Sequence, residues 1–405
     1  MLRFLPLKLV SVVFLLISSP VPYAGDLEIF PDQQWLEVSP ADVQVAQRKI
    51  DRLFNLSFDD SATQGVVLIK NGKLVGERYA DGFNKNSYGT SWSMAKSFYA
   101  ALIGISIDRG EIKHLDEPVA NYLEYFNDER KDISIRDLLN MTSGLEFPEH
   151  EHENMFFSAD HLNYARSVGV EKEAGLTFEY NNVNSMLLAD ILLQATGIAA
   201  DTLLRQRIFN KIGIDDATIW QDSVGTPLTY CCIDTTARQY SRFGLLFARS
   251  GSWRGEQIIS KNFVDTTFSK VWDSENSENI AHNRGYSMHW WISRHDDRAV
   301  IFNASGKFGQ YIFIDRANDV VFTRITKYYP TKGSKQEWGN LKYINWLGSI
   351  NFRIALAGFL DALGLIDIKG DLSTPATFES GTSKQFYDNY TAIVDAFIDI
   401  GQPIK

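Results

Sequence analysis

Ser93 and Lys96 are the residues whose types and spacing most directly suggest chemistry. They stand in Ser93-Met94-Ala95-Lys96, at the head of a largely apolar stretch that reads as a helix to Arg109 and stops at Gly110. In a helix, positions i and i+3 share a face, so the hydroxyl and the amine lie within reach of each other. A serine hydroxyl is a weak nucleophile and needs a base. Lysine serves only where its charged form is disfavoured, which burial and the positive end of a helix both bring about. The same helix end offers a backbone N–H to an oxygen that gains charge. Taken alone, the motif is better read as a capping serine beside a solvated lysine.

The elements that must hold this pair can be read from the surrounding pattern. Ser39-Pro40-Ala41-Asp42 reads as the start of a helix reaching about Leu53. Gly65–Lys70, Asn71-Gly72 and Lys73–Tyr79 form a hairpin signal, since Asn-Gly supplies the positive φ angles of a tight turn. Residues 115–215 read as mostly helical. Strands return at Gly285–Ile292, Val300–Asn303, Tyr311–Ile314 and Val320–Ile325, followed by a helix at Trp338–Ile350. Strands thus open and close the core while helices fill the middle, which predicts one sheet built from both chain ends with a helical insert. Beyond residue 352 come an apolar helix (Ile354 to Leu363), a Ser/Thr/Gly linker near 370–384 and a last helix carrying Phe386, Tyr390, Ile393, Val394 and Phe397, both helices packing as lids on the sheet.

Three further stretches accompany Ser93. They are Ile133–Leu145 (Ile-Ser-Ile-Arg-Asp-Leu-Leu-Asn-Met-Thr-Ser-Gly-Leu), Gly175–Asn182 (Gly-Leu-Thr-Phe-Glu-Tyr-Asn-Asn) and Ala304–Gln310 (Ala-Ser-Gly-Lys-Phe-Gly-Gln). Together these four ordered motifs resemble the serine beta-lactamase and penicillin-recognising family, in particular its class C and esterase-like branch. The segments around Ala237-Arg238, Arg242-Phe243-Gly244 and Gly285-Tyr286 to Trp291 fit as well, so the resemblance spans about 65–350. It implies an α/β (α+β) fold of the beta-lactamase/transpeptidase type, an antiparallel sheet flanked by helices plus a helical subdomain at about 115–215. It implies Ser93 as nucleophile, with Lys96 and Tyr180 sharing the acid–base work, either one being the base. The backbone amides of Ser93 and Lys307 would form the oxyanion hole. Asn182 would bond the substrate or hold Lys96, with a turn-capping role competing because Asn181 adjoins it. Gly306 would keep side chains clear of the acyl group.

One departure bears on the substrate. True beta-lactamases carry Lys-Thr-Gly where this chain has Ala304-Ser305-Gly306, so the cation that meets a substrate carboxylate is missing from that position. Lys307 replaces it only if its side chain turns into the cleft. The Gly-x-x-Gly-Gln form at Gly306–Gln310 resembles relatives that hydrolyse 6-aminohexanoate dimers and simple esters, where Gln310 would orient the substrate, a plain strand-face residue being the equal alternative. Phe156, Phe157, Trp290 and Trp291 are candidates for the cleft wall, with core packing the better reading for at least two of them.

Composition bounds the rest. A chain of 405 residues that is 44% apolar and 22% charged is an ordinary globular sequence, long enough for one large domain or two joined ones. A net charge of −10 argues against a nucleic-acid partner. Cys231 and Cys232 are adjacent, so no loop-closing disulfide and no four-cysteine zinc site can form, and they read as small core residues. Glu149-His150-Glu151-His152-Glu153 has the wrong spacing for a His-Glu-x-x-His metal site and reads as a solvated loop and a flap over the site. No metal or cofactor is expected. Arg3 and Lys8 followed by the apolar run Leu9–Ser19 read as an export leader, with a cut after Ala24 and an uncleaved membrane anchor as the alternative. The expected layout is a leader at 1–24, a hydrolase domain at 25–351 and a helical extension at 352–405. The expected activity is that of a periplasmic or secreted serine hydrolase acting on a small-molecule ester or amide. Its rivals are a D-alanyl-D-alanine peptidase or beta-lactamase, and a non-catalytic penicillin-binding relative.

Overall fold

The computed structural model describes residues 28–147, 151–156, 158–269, 285–327 and 384–402, together with positions 356, 359, 360 and 363. The leader, the Trp338–Ile350 helix, the 370–383 linker, most of the Ile354–Leu363 helix, Phe157 and Arg284 lie outside the described residues.

The strands in chain order are β1 (Thr63–Lys70), β2 (Lys73–Tyr79), β3 (Tyr88–Thr90), β4 (Thr218–Ile219), β5 (Ile233–Thr236), β6 (Ser252–Trp253), β7 (Glu256–Gln257), β8 (Gly285–Ser287), β9 (Trp290–Asp296), β10 (Ala299–Gly306), β11 (Gln310–Asp315) and β12 (Val320–Thr326). Seven form one antiparallel sheet in the order β2-β1-β12-β11-β10-β9-β8. The first hairpin therefore pairs with the last strand, as predicted. Asn71 and Gly72 take φ of 53° and 72°, the left-handed pair that a two-residue hairpin needs.

Alternation along β1 shows why both faces are covered. Val67 and Ile69 point into the larger core, shared with the helices of the middle segment. Val66 and Leu68 point to a second core, built from the Gln47–Phe58 helix and the Lys384–Gly401 helix. Tyr390, Ile393, Val394 and Phe397 are buried there against Phe313 and Phe322, so the last helix does pack on the sheet. Among the described residues no single helix is long and apolar enough to cross a membrane.

Three expectations need correction. The helix from Pro40 is two pieces: a 3-10 turn at Pro40–Val43 closed by the Ser39/Asp42 capping box, then Gln47–Phe58 after Gln44 takes a left-handed φ of 56°. The stretch Gly285–Ile292 is not one strand but the β8–β9 hairpin, turning at Met288-His289 without the usual Gly or Asn. The acidic segment is not all loop, because Glu151–Phe156 is helical, while Glu149 and His150 lie outside the described residues. Cys231 and Cys232 are buried side by side, as expected. The small β3-β5-β4 sheet had no strong sequence signal.

Candidate active site

Ser93 sits in a 3-10 turn, Trp92–Met94, that leads directly into the helix Ala95–Asp108. The chain reaches it from β3, whose partner β5 clamps the entry. Ser91 N–H donates to the Ile233 carbonyl at 2.8 Å, and Ile233 N–H donates to Ser91 Oγ at 2.8 Å. Cys232 N–H donates to the Trp92 carbonyl at 3.3 Å. Trp92 itself has φ 47°, a left-handed conformation that is costly for a bulky residue and persists only where the surroundings enforce it. The sharp turn thus exists without the Gly-x-Ser-x-Gly sequence that usually marks one.

Lys96 is 1% exposed. Its Nζ donates to Ser93 Oγ at 3.0 Å and to the Tyr230 carbonyl at 2.8 Å. Tyr180 stands over the same pair: its ring centroid is 5.0 Å from Lys96 Nζ, and its phenol interacts with the Ser93 side chain. Burial pushes the Tyr180 phenol well above its ordinary value, and the Ser93 interaction pulls in the opposite direction. Residues 93, 96 and 180, far apart in the chain, are therefore in mutual contact. Trp291 stacks on the Tyr180 ring (5.2 Å, 23°) and Tyr286 meets it edge-on (5.9 Å, 88°).

The Ile133–Leu145 stretch explains itself as the support for Tyr180. Ser134 and Asp137 form a reciprocal capping box on the helix Ile135–Asn140. Beyond it the Met141 carbonyl accepts from Glu179 N–H at 2.8 Å, and the Thr142 carbonyl accepts from Gly175 N–H at 2.7 Å. Ser143 Oγ donates to Asn184 Oδ1 at 2.5 Å. Gly144 has φ +70°, and an added Cβ would fall 2.0 Å from the Lys172 carbonyl oxygen, so only glycine fits.

The competition between Asn181 and Asn182 resolves clearly. Asn181 Oδ1 caps the helix Asn182–Met186 by accepting from Val183 N–H at 2.9 Å. Asn182 is buried at the first position of that helix, two residues from Tyr180. Gly306 ends β10 against the nucleophile turn: a Cβ there would lie 2.1 Å from the Ser91 carbonyl oxygen. The glycine is thus required first by the protein's own backbone. Lys307 follows it, exposed, with Nζ 5.2 Å from the Phe308 ring, and Phe308 packs on Trp92.

Gln310 is placed differently from the sequence expectation. It is fully buried and its amide is bonded at both ends to Thr326, the nitrogen to Oγ1 and the oxygen to the backbone N–H at 3.0 Å. It ties β11 to β12 rather than facing substrate. The aromatic candidates divide by strand alternation: Trp290 is buried among Phe243, Phe247 and Phe268, whereas Trp291 lies on Tyr180. Phe156 packs on Trp92 beside Ser93. Two groups escaped the sequence reading: Tyr286, whose only signal was its place in a matched segment, and His289, a lone histidine in an apolar stretch.

Comparison with known proteins agrees with this geometry. The Beta-lactamase family model matches residues 51–341. A D-aminopeptidase from Brucella anthropi is 31% identical over 175 residues, 39% of this chain and 33% of that protein, so the chain aligns with about a third of the length of such curated relatives. A Bacillus anthracis protein provisionally assigned as a 6-aminohexanoate-dimer hydrolase superposes with a TM-score of 0.62 at 22% identity, over 84% of this chain and 91% of that one. A class C beta-lactamase from Rhodobacter sphaeroides gives 0.53 at 16% identity, over 75% and 99%. The fold and the extended match lead to one assignment: the chain belongs to the beta-lactamase family of hydrolases.

Proposed function

We propose that this protein is an exported serine hydrolase that cleaves an ester or amide bond through an acyl-enzyme on Ser93. The observation that carries the proposal is the convergence on one buried amine: Lys96 Nζ is 3.0 Å from Ser93 Oγ and 5.0 Å from the centre of the Tyr180 ring. In the reaction Ser93 Oγ bonds to the carbonyl carbon and its proton passes to the Lys96–Tyr180 pair. The carbonyl electron pair moves onto oxygen, where the amide N–H groups of Ser93 and Lys307 hold it. Collapse of this intermediate breaks the bond to the alcohol or amine, which takes up the proton. Water then repeats the sequence and releases the acid, restoring Ser93.

Ester and amide substrates without a carboxylate at the recognition point fit best, because Ala304 stands where beta-lactamases carry the carboxylate-binding lysine and is itself buried. The D-aminopeptidase relative supports one narrower reading, hydrolysis of D-amino-acid amides. Export rests on the Arg3, Lys8 and Leu9–Ser19 pattern and predicts a periplasmic or secreted product whose amino terminus begins after Ala24. The test is a panel of p-nitrophenyl acetate and butyrate, D-alanine p-nitroanilide, 6-aminohexanoate dimer and nitrocefin, with Ser93→Ala as control. Turnover of an ester or amide that Ser93→Ala lacks supports the proposal. Nitrocefin turnover far exceeding all others would replace it with the beta-lactamase reading.

A further inference from the structure

His289 has no role in the chemistry above, yet its setting is unusual. It is the second residue of the two-residue turn joining β8 to β9, with φ 64°, after Met288 at 51°. Glycine or asparagine normally fills such positions, and a larger residue there costs about 1–3 kcal/mol unless the surroundings fix it. Here they do. His289 N–H donates to the Leu139 carbonyl at 2.9 Å, and the His289 carbonyl accepts from Ser97 Oγ at 2.7 Å. On the ring, Nε2 lies 3.0 Å from Ser185 Oγ and Nδ1 3.3 Å from the Tyr286 hydroxyl. The preceding Met288 N–H donates to Asn140 Oδ1 at 2.9 Å.

Those partners come from three elements. Ser97 adjoins Lys96, Ser185 follows Asn182 by one helical turn, and Leu139 and Asn140 lie beside Met141, whose carbonyl fixes the segment leading to Tyr180. Tyr286 stands between His289 and the site, since its ring meets Tyr180 edge-on and its hydroxyl faces His289. The imidazole is 2% exposed, and burial together with the Lys96 charge keeps it neutral. Both ring nitrogens face hydroxyls that can donate or accept, so a neutral ring is satisfied in either tautomer.

We propose that His289 is a positioning residue: its ring holds the Tyr286 hydroxyl, and through the Tyr286 ring fixes the Tyr180 phenol beside Ser93. The proposal rests on the reading of Ser93 as nucleophile. A fluorophosphonate probe tests the two separately, because it reports Ser93 attack without a known substrate. The maximal labelling rate and the half-saturating probe concentration are measured for the wild type, H289G, H289N, Y286F and H289G/Y286F. Glycine relieves the turn, so H289G isolates the loss of the ring, and circular dichroism verifies the fold. The expected result is a maximal rate lowered about tenfold or more in H289G and Y286F at nearly constant half-saturation, because small displacements of a reacting group carry penalties of that order. Partial recovery in H289N is expected, and a double variant no slower than the slower single. Wild-type rates in H289G or Y286F, or losses that multiply in the double variant, overturn the proposal. If H289G does not fold, Y286F alone decides it. Failure of the wild type to label at Ser93 overturns the nucleophile reading itself.

Discussion

At the scale of single residues, the chemistry proposed for Ser93, Lys96 and Tyr180 makes pH dependence a direct test. Attack requires one proton fewer across the Lys96–Tyr180 pair than the fully protonated state holds. Because burial raises the Tyr180 phenol, its proton leaves reluctantly, and kcat/KM is expected to rise with pH and to fall on acidification. A rate that increases on acidification would contradict this. Ser93→Ala and Lys96→Ala are expected to abolish turnover, and Tyr180→Phe to lower it by about 10²-fold or more, as loss of acid–base help does; near-full activity in any of the three would contradict its assigned role. His289 adds a signature in stability. Its folded-state pKa lies well below 6.5, so the ring is neutral in both folded and unfolded chains above that pH. Below it the unfolded chain binds a proton that the folded one does not, and stability falls as pH falls. Thermal unfolding followed downward from neutral pH should show this slope, and His289→Asn should flatten it. The three reacting groups were legible because each stands in a recognisable local motif. Gln310, Tyr286 and His289 were not, because their meaning depends on Thr326, Tyr180 and Ser185, partners that no local pattern predicts.

At the scale of elements, the site is an assembly of ends: the start of one helix, the cap of another and the last residue of a strand. Gly306→Ala drives a Cβ into the Ser91 carbonyl and must displace either β10 or the nucleophile turn. We expect loss of most activity with a smaller loss of stability, measured as kcat against the unfolding midpoint; near-normal kcat would show that the close approach is dispensable. Asn181→Ala removes the cap of the Asn182–Met186 helix and should cost about 1 kcal/mol in denaturant unfolding. The sequence located β1, β2 and the last strands to within a few residues, because alternating apolar residues and Asn-Gly carry strong local signals. It missed the β8–β9 turn because tertiary hydrogen bonds, not turn-forming residues, impose it.

At the scale of the molecule, the two ends of the chain meet in one sheet, and the contacts that close it are buried. Arg324 on β12 donates to Asp60, just before β1, at 2.9 Å, with both side chains 2% exposed. Asp60→Asn leaves the guanidinium without its counter-charge and should cost about 3–5 kcal/mol. Phe397→Ala, on the far side of the sheet from Ser93, should cost about 3–5 kcal/mol while leaving kcat near normal. A large fall in kcat at full stability would show that the last helix communicates with the site. The order of strands and helices made this architecture legible. The pairing of Arg324 with Asp60 was hidden, since 264 residues separate them.

The central claim is that Ser93 becomes acylated. Rapid acid quench of the enzyme with excess p-nitrophenyl butyrate, followed by intact-mass and peptide analysis, tests it directly. A butyryl increment is expected on the peptide containing Ser93 in the wild type and none in Ser93→Ala or Lys96→Ala. Ester turnover with no adduct on that peptide, or an adduct on another residue that is needed for turnover, would contradict it.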